Sequence, residues 1–200
     1  MTGSLTRDVG GRWTALALVL ATAVLAVFAR TGSDWDWVVA LGDHVRSTGT
    51  IPSSVPFAVA PSEGWHNVPV LAEVIASVLA GGGHGLVVTW HLLMVIAALV
   101  LLAVAGRYRG GSDSTVAVAM GALVMGGLPW FGILRLQTFS LPLFALVVLT
   151  VARQAQQPDR GIWWVVPLVA LWGNLHGAVL LGVCVLGAYL VLGRLRERVV

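Results

Sequence analysis

Apolar runs of membrane-crossing length recur along the chain, each bounded by arginine or by a short polar turn. They cover Trp13 to Ala29, Leu86 to Ala105, Thr115 to Phe131, Leu134 to Ala152, Ile162 to Leu175 and Ala178 to Leu192. A helix crossing a bilayer needs ~20 mainly apolar residues, and fewer where its ends are covered by protein. Val27-Phe28-Ala29 loosely fits a signal-peptidase site. The run before it is long for a signal sequence and Arg30 follows directly, so it is read as a retained span. Between the first two runs, Thr31 to Gly85 forms one long polar-apolar segment. Within it, Asp34 to Ser47 has helical periodicity: Trp35, Val38 and Val45 make an apolar stripe, and Asp36, Asp43 and Ser47 share another face with small Ala40 between them. Thr48 to His66, rich in Ser, Pro and Gly, predicts a loop. Asn67 predicts an N-cap and Pro69 a first-turn residue for a second helix running to Ala80. Only Glu73 and Ser77, four apart on one face, interrupt its apolar surface, and Gly81-Gly82-Gly83 ends it.

The pattern predicts an all-α integral membrane protein: a single membrane domain over residues 1–200 with about six transmembrane helices and two amphipathic helices in a long outer first loop. Composition agrees, since 58% of residues are hydrophobic, 10% are charged and the mean hydropathy is +0.88. A soluble domain of this size has no interior able to hide that much apolar side chain. Charge then orients the spans. All 12 basic residues are arginine. Arg7, Arg12, Arg107, Arg109, Arg153, Arg160, Arg194, Arg196 and Arg198 fall on one side of a six-span arrangement, and only Arg30, Arg46 and Arg135 on the other. The positive-inside rule therefore puts both termini in the cytoplasm. The use of arginine without lysine, with Ala, Val, Leu and Gly dominant, suggests a GC-rich bacterial genome and hence a bacterial inner membrane. Explained by topology, the net charge of +3 does not point to nucleic acid. The single cysteine, Cys184, lies in an apolar run and reads as a small buried hydrophobe. The sequence leaves the oligomeric state open.

Polar residues concentrate on the outer side. His44, His66, His84, His91 and His176 all fall there or in the outer half of a span, with Asp34, Asp36, Asp43, Glu63, Glu73, Arg135, Gln137 and Asn174. Polar groups at membrane depth are costly and mark pathways or sites, whereas Asp43, Arg46, Glu63 and His84 are expected simply to face water. Asp34 and Asp36 follow the first span. Asp34 reads as an N-cap, which leaves Asp36 as the better general base or metal ligand. Arg135 and Gln137 open the fourth span. A guanidinium there suits phosphate or carboxylate, with an internal bridge to Glu73 or an aspartate as the alternative. Glu73, an acid on an apolar helix, needs Arg135 or a bound cation as partner. Trp172-Gly173-Asn174-Leu175-His176-Gly177 makes a tight outer turn whose Asn174 and His176 either bind ligand or satisfy the turn's own backbone.

Several runs resemble one bacterial family of multi-pass proteins. They are Leu41-Gly42-Asp43, Gly49-Thr50-Ile51-Pro52, Val55-Pro56-Phe57-Ala58, Gly64-Trp65, Leu71-Ala72-Glu73-Val74, Arg135-Leu136-Gln137-Thr138-Phe139-Ser140 and the Asn174-Leu175-His176-Gly177 turn. That family is similar to the C-type glycosyltransferases, which use polyprenyl-phosphate sugar donors. The resemblance covers roughly residues 30 to 190. It implies a first-loop acid, here Asp34 or Asp36, as base or ligand of a divalent cation. It also implies polar and basic groups at the donor phosphate, with Arg135 the best match and Gln137, Glu73, Asn174, His176 and His66 as further binding residues. Two motifs depart from the family. Val55-Pro56-Phe57-Ala58 stands where Asp-Pro-Phe-Ser is usual, and Arg135-Leu136-Gln137 where Arg-Pro-Gln is usual. Family members commonly have eight or more spans.

Two functions follow as expectations. One is transfer of a sugar from a polyprenyl-phosphate donor at the outer face, with Asp36 activating an acceptor hydroxyl and Arg135 stabilising the leaving phosphate. The other is a non-catalytic multi-pass protein that binds lipid or supports a complex, which the missing acid before Pro56 favours. An intramembrane serine protease, the size of which fits, is excluded by the lack of a Gly-x-Ser-x-Gly motif ahead of a suitable histidine. A transferase requires Asp34 or Asp36, Glu73, Arg135 and His176 to converge.

Overall fold

The computed structural model describes residues 11–199 and side chains as far as residue 193, so Arg7 and the side chains of Arg194, Arg196 and Arg198 lie outside it. The described residues are mostly helical, with one long non-helical stretch at 49–69, where a loop was expected. The helices are α1 (Arg12–Phe28), α2 (Trp35–Thr48), α3 (Val70–Gly81), α4 (His84–Tyr108), α5 (Asp113–Phe131), α6 (Ser140–Gln154), α7 (Val165–Gly173) and α8 (Val179–Val199). Short 3-10 segments, Leu136–Phe139 and Arg160–Trp164, lead into α6 and α7. Three stretches are long and apolar enough to cross a membrane: His84–Tyr108, Asp113–Phe131 and Leu136–Gln154. The apolar helices at Arg12–Phe28, Val70–Gly81, Arg160–Gly173 and Val179–Gly193 are shorter.

The fourth expected run does not begin as a helix at Leu134. Instead Ile133–Leu134 (β2) pairs in parallel with Arg30–Thr31 (β1), the residues leaving α1. The backbone N–H of Arg30 donates to Gly132 (2.9 Å) and that of Gly32 to Leu134 (2.8 Å). Because each short strand follows its helix, the parallel pairing means that α1 and α5 run in the same direction side by side. Their shared interface with α4 forms the largest apolar cluster: Ala21 and Leu25 of α1, Val95, Leu99 and Ala103 of α4, and Val116, Met120 and Val124 of α5. On its other side α4 packs along α6, which in turn contacts α7 and α8. Trp172 of α7 is wholly buried and donates its indole N–H to Ser140 (2.8 Å), which docks α7 on the start of α6.

The arginine split read along the sequence is also a split in space. Arg107 and Arg109 end α4, and Arg153 lies over the Tyr108 ring at 6.0 Å. Arg12 begins α1 beside the start of α5, because Trp13 and Thr14 bond Asp113. Arg30, Arg46 and Arg135 lie at the opposite end with α2, α3 and the α7–α8 turn. There Trp35 and Val38 of α2, Ala76 of α3, Val87 of α4 and Leu134 form a second cluster. Ala72, Phe139 and Leu175 form a third.

In α2 the expected stripe is present but turns toward Leu41 and Gly42, which are buried with Trp35 and Val38 while Val45 is half-buried. The reason is the close crossing with α3. A side-chain carbon at Gly42 would come within 2.1 Å of the Glu73 carbonyl oxygen, so only glycine lets the two backbones meet there. Gly49 closes α2 in the left-handed conformation (φ 70°), with its N–H bonded to Val45.

Candidate functional site

The parallel ladder delivers two charged side chains to one place. Thr31 and Leu134 are register partners, so Asp34, three residues beyond one, meets Arg135, directly beyond the other. Arg135 Nε and Asp34 Oδ1 stand 3.6 Å apart, and both side chains are about one-third exposed (36% and 37%). Gly32 fits between them: a side-chain carbon there would lie 2.7 Å from Asp34 Oδ1 and 2.8 Å from Arg135 Cγ. The expected N-cap role of Asp34 is corrected accordingly. Its backbone begins α2, but its carboxylate makes no capping bond and turns to Arg135 instead. The contact is an ion pair without hydrogen-bond geometry, and neither Nε nor Oδ1 has another partner among the described residues. A guanidinium carries five donors, so most of its capacity is unspent.

A buried polar relay fixes the backbone under Arg135, and no expectation from sequence had included it. The Arg135 N–H donates to Thr138 Oγ1 (3.3 Å), which lies 3.4 Å from Nδ1 of His91. His91 Nε2 stands 2.8 Å from the Phe131 carbonyl. A carbonyl can only accept, so Nε2 carries the proton and Nδ1 accepts from the Thr138 hydroxyl. His91 is 1% exposed and Thr138 3%. A histidine at an otherwise apolar position of α4 was the one sequence signal for this relay.

Glu73 is 2% exposed but is not the partner of Arg135. Nδ2 of Asn67 donates to its carboxylate at 2.5 Å. Asn67 therefore does not cap α3 through its side chain, whose position is taken by Pro69. Burial raises the pKa of Glu73 above the usual carboxylate value, and the Asn67 bond partly offsets that. Ser77, on the same face, donates to Asp43 (2.5 Å) and accepts from Arg46 (2.8 Å). Asp43 and Arg46, expected only to face water, thus tie α2 to α3 through Ser77, and they pair with each other along α2 at 3.7 Å.

The remaining expected residues stay separate. Asp36 is exposed in the first turn of α2, without a hydrogen bond or ion pair to any described residue. Gln137 and His66 are exposed. Asn174 caps α7 and donates to the Ala170 carbonyl (2.8 Å). His176 Nδ1 accepts from the Ala178 N–H (3.1 Å), and burial lowers its pKa. Both thus satisfy their own turn, the second of the two roles anticipated for them. Leu175 between them packs on Ala72 and Phe139, which sets the turn against the helix bearing Glu73. Four groups required of a transferase therefore share one end of the bundle, and of these only Asp34 and Arg135 touch. Among the described residues no three His, Cys, Asp or Glu side chains gather as metal ligands.

At the far end of α1 and α5 the sequence reading had missed a carboxylate. Asp113 accepts from the N–H groups of Trp13 (3.0 Å) and Thr14 (2.9 Å) and from the Thr14 hydroxyl (2.7 Å). It caps α1 from a neighbouring helix, and Gly11 gives it room, since a side-chain carbon there would lie 2.0 Å from Asp113 Oδ1. Comparison with family models, with curated proteins and with solved structures gave no match.

Proposed function

We propose that the protein is a six-span bacterial inner-membrane protein, glycosyltransferase-like, that receives the phosphate of a polyprenyl-phosphate-linked sugar at Arg135. The membrane assignment is supported by three helices of crossing length and by large apolar side chains left bare on the outside, such as Val27 (80% exposed) and Trp164 (77%). The segregation of arginines to the two ends, together with the parallel run of α1 and α5, supports cytoplasmic termini and an outer location for Arg135. The donor class comes from the sequence resemblance.

One observation carries the site assignment: the Arg135 guanidinium is positioned by a fixed backbone yet held by a single ion pair of 3.6 Å with no hydrogen bond. A phosphate matches the planar fork better than the offset Asp34 carboxylate does. In transfer, the acceptor oxygen bonds to the anomeric carbon as the carbon–oxygen bond to phosphate breaks. The leaving phosphate takes the electron pair beside Arg135, and Asp36, exposed and unpaired, takes the acceptor's proton. A divalent cation, if one serves, would draw on Asp34 and Asp36, to which the fold adds no third ligand among the described residues.

Native mass spectrometry with polyprenyl phosphate tests this. Arg135→Lys keeps the charge and loses the fork, and is expected to weaken binding about tenfold. Asp34→Asn removes the competing carboxylate and is expected to strengthen it by up to ~fivefold, the worth of an exposed pair. Equal binding by the parent and Arg135→Lys would sink the donor site and leave a non-catalytic membrane protein.

A further inference from the structure

The α2 face carrying Asp36, Ala40, Asp43 and Ser47 is not simply open to solvent. It forms the floor of an open groove of about 540 Å³ lined by Ala40, Asp43, His44, Arg46, Ser47 and Phe57. Asp36 lies one helical turn before Ala40 on the same face, at the groove's end. Phe57 lines the groove, and two further rings stand behind it. Phe57 meets Trp37 edge-on at 6.4 Å, and Trp65 lies 6.5 Å from Trp37 at a tilt. The loop that brings these rings together is held by its own bonds. The Val55 N–H donates to Ser62 Oγ (2.8 Å), and the Trp65 N–H donates to the Ser62 carbonyl (3.1 Å). Trp37 and Phe57 nevertheless remain 43% and 45% exposed, so the cluster offers ring surface that the fold does not use.

We infer that this groove binds a saccharide, stacking a sugar ring on Phe57 while Asp43, His44 and Ser47, with Asp36 at its end, bond its hydroxyls. The lining selects against the other occupants. Lipid chains would not be met by two carboxylates, an imidazole and a hydroxyl. An anion would find no free cation, because Arg46 is engaged by Asp43 and Ser77, and would be repelled by the unpaired Asp36. A neutral polyol suits both halves, since its C–H face packs on aromatic rings and its hydroxyls both give and accept hydrogen bonds. Only the naming of this sugar as the acceptor rests on the transferase reading. In that case Asp36, at the groove's end, is the carboxylate nearest the hydroxyl to be activated.

Saturation-transfer NMR on the full chain in nanodiscs, with methyl glycosides of glucose, galactose, mannose and arabinose and one disaccharide of each, tests the groove. Saturable binding is expected for at least one probe, weakened fivefold or more by Phe57→Ala and by Ser47→Ala. The control Trp163→Ala, an exposed tryptophan on the segment leading into α7, should bind as the parent does. No binding by any probe, or undiminished binding in both groove variants, would overturn the proposal. Sugar binding that survives Arg135→Lys, which weakens only the phosphate response, keeps the groove while the donor site is judged separately. Loss of sugar binding in Trp163→Ala equal to that in Phe57→Ala would overturn it as a nonspecific aromatic effect.

Discussion

The same two helices, α1 and α5, are tied together at both ends, and the two ties are built differently. At one end the Asp113 carboxylate takes three hydrogen bonds of 2.7–3.0 Å from Trp13 and Thr14. At the other, Asp34 faces Arg135 across 3.6 Å with no hydrogen bond between them. Each tie depends on a glycine that leaves no room for a side chain, Gly11 in one case and Gly32 in the other. The first tie spends its carboxylate on orphan helix-terminal N–H groups and is complete within the protein. The second leaves guanidinium donors unspent. The saturated carboxylate serves the fold alone, and the unsaturated cation is the feature on which the proposed phosphate site rests.

Topology makes the sharpest test of that contrast. Reporter fusions after Arg109 and Arg160 are expected to report cytoplasm, and fusions near Ser54 and at Gly177 the outside. A cytoplasmic signal at Ser54 would put the Arg135 end on the wrong side for a lipid-linked outer substrate. The next largest effect is expected from Asp113→Ala, which strips the cap from α1. Its thermal midpoint in detergent should fall by several degrees, and by more than in Arg135→Lys, with polyprenyl-phosphate binding by the folded fraction unchanged. If the two variants melt alike, the ends do not differ as argued. The smallest effect concerns Glu73. Burial raises its pKa from the ordinary 4.5, so the folded state holds its proton more tightly than the unfolded state. The associated stability is fully present below the unfolded value and is lost as pH rises through the folded one. Midpoints followed from pH 4 upward should decline more in the parent than in Glu73→Gln, and parallel curves would contradict the buried-acid account.

Much of this was legible because hydropathy is local. Four of the six apolar runs became helices within three residues of their expected limits, whereas α6 begins at Ser140 rather than Leu134 and α8 continues past Leu192 to Val199. The Asp36–Asp43–Ser47 face was readable from helical spacing alone. What could not be read depends on contacts between distant positions. Arg30–Thr31 and Ile133–Leu134 are too short to show a strand pattern, so although a bridge from Arg135 to an aspartate was one of the expected alternatives, nothing in the sequence singled out Asp34. Asp113 follows Ser112, which caps α5 by accepting from the Thr115 N–H, and so looks like an ordinary first-turn acid. Its service to α1 appears only when the helices are side by side. Asn67 likewise had the chemistry of a cap, and tertiary packing gave it to Glu73 instead.

His91 has one more consequence. Its two ring nitrogens reach the Phe131 carbonyl and the Thr138 hydroxyl, so a single imidazole clasps both ends of the segment 131–138. The clasp is directional, because each nitrogen has a different role and neither can be exchanged for the other. Arg135 sits midway along the clasped arc. Its aim is thus set by a residue that never touches it. A His91→Phe chain would keep the helix and the charge while letting that arc wander, trading a fixed bearing for a range of headings.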